Sequence, residues 1–352
     1  MKVKVKKSYV PALMFFAVFS AIIFFGGEMT NISRSLLNAS VKIQLLSVGY
    51  KAENINVNTE PPSDGESVAL QPEVSSVGQS DAAVERPTDV ETGDIKTVAL
   101  EPSAGNSFSE GIHYNNTAGV DIDVSSLLSE GLPFKIEDSS EPQVLIYHTH
   151  GTESYSDSDS GFYVKNDDGS RSTDTSKNTV RVGDAIAEVL NNNGIVTIND
   201  RTMHDKDSYT GSYSRSEATV RQYLEKYPSI KVVIDGHRDS ITQSNGTKIK
   251  PTAEINGKSA AQVMVLAGCE SGDVTNYPNW MENLRFNLLL QRQLENDYPG
   301  LARAMSFKSC KYNFNIMNGS ILLEIGSEAN TLDEAVYSGQ LIGEALVKIF
   351  KQ

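Results

Sequence analysis

Apolar and polar positions divide the chain into three regimes. The first is a mostly apolar, uncharged run from Ser8 to Gly27, preceded by Lys2, Lys4, Lys6 and Lys7. A helix of that length crosses a hydrocarbon core, which needs about 20 residues. The lysines stay on the cytoplasmic side and send everything after Gly27 outside. A cleaved signal peptide is the competing reading. The run is long for a signal core and no clear small-x-small site follows Phe24, so residues 1–27 are expected to be an uncleaved transmembrane anchor. In residues 28–51, Ile32, Leu36, Leu37, Val41, Ile43 and Leu45 alternate with polar groups as a membrane-proximal segment. In the second regime, residues 52–110, periodicity is lost. Glu53, Glu60, Asp64, Glu66, Glu73, Asp81, Glu85, Asp89, Glu91, Asp94 and Glu101 face only Arg86 and Lys96, with Pro, Ser and Gly interspersed. Such a segment buries too little surface to offset its ordering entropy, and its charges keep it extended. It reads as a disordered acidic linker.

The third regime, residues 111–352, has the periodicities of a folded domain. Val144–Tyr147, Ile195–Ile198, Lys231–Asp235, Ala261–Ala267 and Ile321–Ile325 read as strands. Asn178–Leu190, with Val182, Ala185, Ile186, Val189 and Leu190 on one face and Gly194 beyond it, reads as a helix. Ser214-x-x-Glu217 is a capping-box pattern for a helix ending before Pro228, and Thr331-x-x-Glu334 is another for a last helix carrying Val336, Ile342, Leu346 and Ile349. A long helix is expected from about Asn279 to Glu295. This alternation predicts an α/β domain with a mostly parallel, doubly wound sheet flanked by helices.

Charge and cysteine content narrow the function. The net charge of −14 argues against a nucleic-acid partner, whose phosphates would be repelled. Two cysteines, Cys269 and Cys310, are too few for a disulfide framework or a cysteine-rich zinc site, and whether they pair stays open.

Three polar clusters fall where a parallel sheet places a site, at or past the carboxyl ends of strands. They are His148-Thr149-His150-Gly151-Thr152-Glu153, His237-Arg238-Asp239, and Glu324 in an otherwise apolar strand. A His-x-x-Glu pair beside a strand end, completed by a distant His, makes a three-ligand zinc site with its fourth position left for water. A further carboxylate can serve as general base and then protonate the leaving amine. Glu324 suits that role, since a carboxylate in a buried strand costs several kcal/mol unless paired or functional. The two histidine clusters also have ordinary explanations, a hydrogen-bonded turn histidine, a loop pair or a salt-bridged turn, whereas Glu324 is hard to explain as structure.

Val144-Leu145-Ile146-Tyr147-His148-Thr149-His150-Gly151-Thr152-Glu153-Ser154-Tyr155, Ile234-Asp235-Gly236-His237-Arg238-Asp239-Ser240 and Leu322-Leu323-Glu324-Ile325-Gly326-Ser327 with Asn330-Thr331-Leu332 resemble the stage II sporulation protein P family. Tyr298-Pro299-Gly300-Leu301 and Tyr312-Asn313 add to the likeness, which runs from about residue 112 to the C-terminus. The resemblance implies a peptidoglycan hydrolase, an N-acetylmuramoyl-L-alanine amidase with endopeptidase activity. It also implies work in forespore engulfment beside stage II sporulation proteins D and M, between the mother-cell and forespore membranes. The family is similar in turn to zinc amidases whose first ligand follows the first strand, which implies a zinc amidase-like fold and a Zn2+ cofactor. That likeness puts His150 and His237 on ligands and Glu324 on the catalytic acid. Thr149 replaces a glycine of the amidase turn, and the amidases' acidic ligand has no match around Thr175–Lys177, so Glu153 is the choice for second ligand. His148 remains an alternative ligand or supporting group. Arg238, Tyr209, Tyr213 and Arg215 are candidates for holding an anionic glycan or stem peptide. Two other readings stand beside the amidase: a zinc endopeptidase acting only on stem-peptide cross-links, and a wall-binding scaffold without catalysis.

Overall fold

The structure, a computed structural model, describes residues 85–166 and 170–352. The expected anchor (1–27), the membrane-proximal segment (28–51) and the linker as far as residue 84 lie outside the described residues. Among the described residues no helix is long and apolar enough to cross a membrane.

In chain order the elements are β1 (Thr92–Val98), β2 (Ser107–Ser109), β3 (Ile112–Asn116), α1 (Val124–Ser129), β4 (Val144–Tyr147), β5 (Phe162–Val164), α2 (Thr179–Asn192), β6 (Thr197–Asn199) and α3 (Ser212–Lys226). There follow β7 (Val232–Asp239), β8 (Lys248–Ile255), β9 (Lys258–Ala261), β10 (Val263–Gly268), α4 (Trp280–Asp297), β11 (Met305–Lys308), β12 (Ser320–Ser327) and α5 (Leu332–Phe350). The chain is a mixed α/β fold. Its main sheet has the order β2-β3-β11-β10-β12-β7-β4-β6, and a second sheet has the order β5-β1-β8-β9. In the main sheet only β10–β12 and β2–β3 are antiparallel.

Strand alternation assigns the two faces of the main sheet. Val144, Ile146, Val232 and Ile234 pack with Val182 and Ile186 of α2 and Leu346 of α5 in the largest core. Leu145, Tyr147 and Val233 point the other way, onto Val220 of α3. Helices therefore cover both faces, as the apolar strand sequences require. The pair α2 and α5 packs closely enough that a Cβ at Gly343 would lie 2.7 Å from Val189 Cβ. Thr331 closes the capping box of α5 with Glu334.

Several boundaries differ from the sequence expectation. The strand expected at 261–267 is two strands in different sheets, parted at Gln262. The Gln262 side chain holds Leu100 N, Leu100 O and Gly300 O. Helix α3 starts two residues before Ser214, with Gly211 as N-cap at φ +85°, so Ser214 caps nothing and Glu217 pairs with Arg221 instead. A left-handed glycine costs little there, and it moved the helix start. The segment expected to be a disordered linker holds regular structure at its described end. Its last part includes β1, which pairs with β8 in parallel register from Ile95–Lys248 to Val98–Pro251 and buries Val98. A few apolar residues suffice when an edge is there to receive them. Strand β7 continues past Asp235 to Asp239, so His237 lies within the strand rather than after it.

Candidate active site

Strands β4, β7 and β12 are neighbours in the main sheet, and their carboxyl ends build one cleft. Residues 233, 235, 237 and 239 alternate onto the α3 face, so Asp235, His237 and Asp239 share it with Tyr147. Glu324 of β12 is in direct register with His237 of β7 in a parallel pair. Side chains paired in this way stand on the same side of the sheet.

After β4 the chain turns through His148–Glu153. Thr149 donates its N–H and hydroxyl to Asp235 at 2.9 and 2.7 Å. Thr152 donates the same two groups to Asp205 at 3.1 and 2.6 Å, and Arg171 Nη1 adds a third donor at 2.7 Å. His150 is thus held between two threonines, each fastened to a buried aspartate. Its Nδ1 lies 3.9 Å from Asp205 Oδ2 and has no hydrogen-bond partner. Its ring stacks on Tyr209 at 4.2 Å, and stands 5.3 Å from the His237 ring at 77°. His237 places Nδ1 3.5 Å from Glu153 Oε2 and Nε2 3.0 Å from Asp235 Oδ1, the latter off the line of a hydrogen bond. The structure therefore brings His150, Glu153, His237 and Glu324 together, with Tyr209 and Tyr213 against the imidazoles.

Charge in the cleft is unevenly held. Burial pulls the His150 pKa down to about 4, so it is neutral at pH 7. Burial also raises Glu153, but His237 and Arg238 outweigh it and hold the carboxyl at about 2. His237 is pushed down by burial and up, more strongly, by Asp235 and Glu153, ending well above the ordinary imidazole value. Burial lifts Glu324 to about 8, against the pull of His237, and its Oε2 is buried without a partner. Ionised carboxylates with a neutral imidazole are the forms that bind a metal. A proton on His237 and a dication beside it are alternative ways to balance Glu153 and Asp235. In the present arrangement these side chains contact one another, and among the described residues no three His, Cys, Asp or Glu groups already surround a common point.

Three further candidates have their polar groups engaged elsewhere. His148 is fully buried, with Nδ1 2.8 Å from Gly236 O and Nε2 3.0 Å from Asn199 Oδ1, so both ring nitrogens are engaged away from the cleft. This arrangement fits the supporting role left open for it rather than the ligand role. A Cβ at Gly183 would come within 2.8 Å of its Nε2, and one at Gly236 within 2.9 Å of its Cε1. Arg238 spends its guanidinium on Ser154 O, Ser170 O and Asp239 O, and its N–H on Glu153 Oε2 at 3.2 Å. Arg215 binds His204 O, Thr210 O and Ser208 O, bracing the loop that carries Tyr209. Both arginines are structural staples, because nothing in local sequence shows that backbone carbonyls will claim them. Sequence reasoning passed over Asp205 and Asp235, and also Arg303, whose Nη1 donates to Asp239 Oδ2 at 2.9 Å. Only Asp235 carried a signal: an acid two residues before a histidine in a strand lies on the same face. His204 spans His148 O and Thr219 Oγ1 at 2.9 Å each and is structural.

Comparison with known proteins follows the same region. Residues 34–347 match the model of the stage II sporulation protein P family. Stage II sporulation protein P of Bacillus subtilis is 31% identical over 202 residues, 54% of this chain and 47% of that protein, so the match spans about half its length. Among solved structures, the N-acetylmuramoyl-L-alanine amidase AmiC2 of Nostoc punctiforme is 12% identical with a TM-score of 0.32, covering 60% of this chain and 97% of its own. The CwlD amidase of Clostridioides difficile, in complex with the GerS lipoprotein, is 10% identical with a TM-score of 0.34, covering 59% and 96%. Scores this low establish no shared site. The family match does not depend on them: covering most of the chain and every cluster of the cleft, it places this protein in the stage II sporulation protein P family.

Proposed function

We propose that this chain is a membrane-anchored, zinc-dependent peptidoglycan hydrolase that cleaves the N-acetylmuramoyl-L-alanine amide bond during sporulation engulfment. The observation that carries the reading is the register of Glu324 with His237, which sets a high-pKa carboxyl beside the His150, Glu153 and His237 donors. Those donors fit zinc in type, and His150 Nδ1 and Glu324 Oε2 are buried polar atoms without partners, which a dry structural cluster would not leave. His150, Glu153 and His237 would hold the ion. When bound, zinc supplies a Lewis acid that lowers the pKa of a water to about 7. In its ionised form Glu324 would take the proton of the attacking water and return it to the leaving nitrogen, so the C–N bond breaks to a carboxylic acid and a free amine. Tyr209, exposed beside His150, offers contact to the sugar or peptide, while Tyr213 packs against His237 and Tyr312. The anchor and linker would give the enzyme reach, and stage II sporulation proteins D and M are its proposed partners through the family.

The test is metal analysis of the purified full-length chain with mass spectrometry of digested peptidoglycan. About one zinc per chain is expected, with activity lost to a chelator and restored by zinc, and with released peptides beginning at L-alanine. Activity that survives chelation would sink the zinc mechanism. Products cut only at cross-links would make the enzyme an endopeptidase, and no products at all would leave a scaffold.

A further inference from the structure

Asp235 is fully buried in the middle of the main sheet, where an uncompensated carboxylate costs several kcal/mol. Its Oδ2 accepts the Thr149 hydroxyl and its Oδ1 the Thr149 N–H. Two further side chains reach it: Tyr147, which donates its hydroxyl, and His237, whose Nε2 lies 3.0 Å from Oδ1. Residues 235 and 237 are two apart in one strand and cannot avoid sharing a face. Nε2 makes no aligned hydrogen bond, so its contact with Asp235 is one of proximity, at which a bare nitrogen and a carboxylate oxygen would repel; the opposite nitrogen, Nδ1, looks toward Glu153 Oε2 at 3.5 Å. A neutral imidazole has one protonated and one bare nitrogen, and the neighbour of the first decides which is which.

We propose that Asp235 is the positioning residue of His237: its carboxylate keeps the proton on Nε2, which leaves Nδ1 as the bare nitrogen facing Glu153 and the metal. The inference rests on the zinc reading above. Glu153 and His237 then act as one pair of donors presented by two strands, with the tautomer set by a third group that touches neither metal nor substrate. Partners of this kind hold ligand orientation and basicity, and their loss typically costs about 10–100-fold in metal affinity. The alternative is that Asp235 merely fastens Thr149. The two roles separate in Asp235→Asn. The amide oxygen still accepts the Thr149 N–H, and its NH2 can donate to the Thr149 hydroxyl, which has Ser216 Oγ as a second partner at 2.8 Å. The Tyr147 hydroxyl can likewise donate to the amide oxygen, so what is lost is the anion beside Nε2.

The experiment uses the full-length chain with 15N-labelled histidine, five residues in all, and zinc affinity from competition with a fluorescent chelator. In the zinc-loaded parent, His237 is expected to carry its proton on Nε2 and none on Nδ1. Asp235→Asn is expected to bind zinc about 10–100-fold more weakly, with the thermal midpoint of the metal-free protein close to the parent. A proton on Nδ1 of the loaded parent, or parental affinity in the folded variant, overturns the proposal and leaves the zinc reading standing. If the variant does not fold, the resonances of the parent decide alone. A parent that takes up no zinc overturns the zinc reading, and this inference with it.

Discussion

Replacing Glu324 by Gln isolates proton transfer from everything else the cleft does. The carboxyl sits beside His237 with Oε2 buried and unpartnered, so the amide breaks no hydrogen bond there and keeps the shape. Zinc content and peptidoglycan binding should therefore equal the parent's. Turnover should fall by about 10²–10⁴, the usual worth of general acid–base catalysis, or about 3–5 kcal/mol of barrier. A second readout follows from the pKa. Burial lifts Glu324 from 4.5 to about 8. A folded-state value above the unfolded one means that the folded protein binds this proton more tightly. The associated stability is complete below 4.5 and is lost as pH rises toward 8 and beyond. In zinc-free protein the Gln variant should be more stable than the parent at pH 9, by up to about 5 kcal/mol, and alike at pH 4. The assays are turnover on purified wall, metal analysis and thermal melts at both pH values. Zinc loss on substitution would make Glu324 a ligand. Near-parental cleavage would make it a structural acid and move the general base elsewhere, first to Glu153.

Other substitutions separate ligands from staples. His150→Ala and His237→Ala should each lose zinc and activity together by metal analysis and wall digestion. His148→Ala should keep its zinc but lower the thermal midpoint, since it leaves Gly236 O and the Asn199 side chain without their partner. Arg238→Ala should destabilise by about 1–3 kcal/mol in denaturant titration, through the lost hydrogen bonds to Ser154 O and Ser170 O, rather than raise KM alone. Tyr209→Ala should raise KM about tenfold on soluble wall fragments with the melt unchanged, and Tyr209→Phe should restore it; a change in kcat alone would refute a binding role. Deleting residues 52–84 should leave the thermal midpoint unchanged, whereas a deletion reaching residue 110 should lower it by removing β1 from β8.

Legibility in the sequence followed the range of the interactions. Strand β4 was readable to the residue because its four apolar side chains are buried on both faces, leaving no alternative pattern. His150, Glu153, His237 and Glu324 could be grouped before any coordinates because each stands beside or within a strand, and strand ends converge in a parallel sheet. The two capping-box patterns show the limit. Thr331-x-x-Glu334 forms its box, while Ser214-x-x-Glu217 does not, although the local chemistry is the same. What differs lies outside those four residues: Gly211 accepts a left-handed conformation and Arg215 draws in three loop carbonyls, so α3 begins earlier.

The same reasoning accounts for the charged residues. An arginine or aspartate in a sequence shows its charge but not its partner, and partners here come from other strands. Arg238 and Arg215 looked like substrate contacts because free guanidinium groups bind anions; once their hydrogen bonds are assigned to backbone oxygens, little is left for a ligand. Nothing in the sequence names the partners of Asp205 and Asp235, yet each receives both polar hydrogens of a threonine flanking His150. That arrangement fixes the histidine's backbone on both sides without touching its ring. The pattern Thr-His-Gly-Thr-Glu is thus a pair of anchors around a donor, and its threonines matter to the site as much as its histidine does. Thr149→Val and Thr152→Val should each loosen that hold: thermal melts should fall by about 1–3 kcal/mol per threonine for the buried carboxylate left short of a donor, and zinc affinity should fall with them. Parental zinc affinity in both variants would show that His150 is held by its own packing against Tyr209 and Tyr213, and that the threonine anchors serve the fold alone.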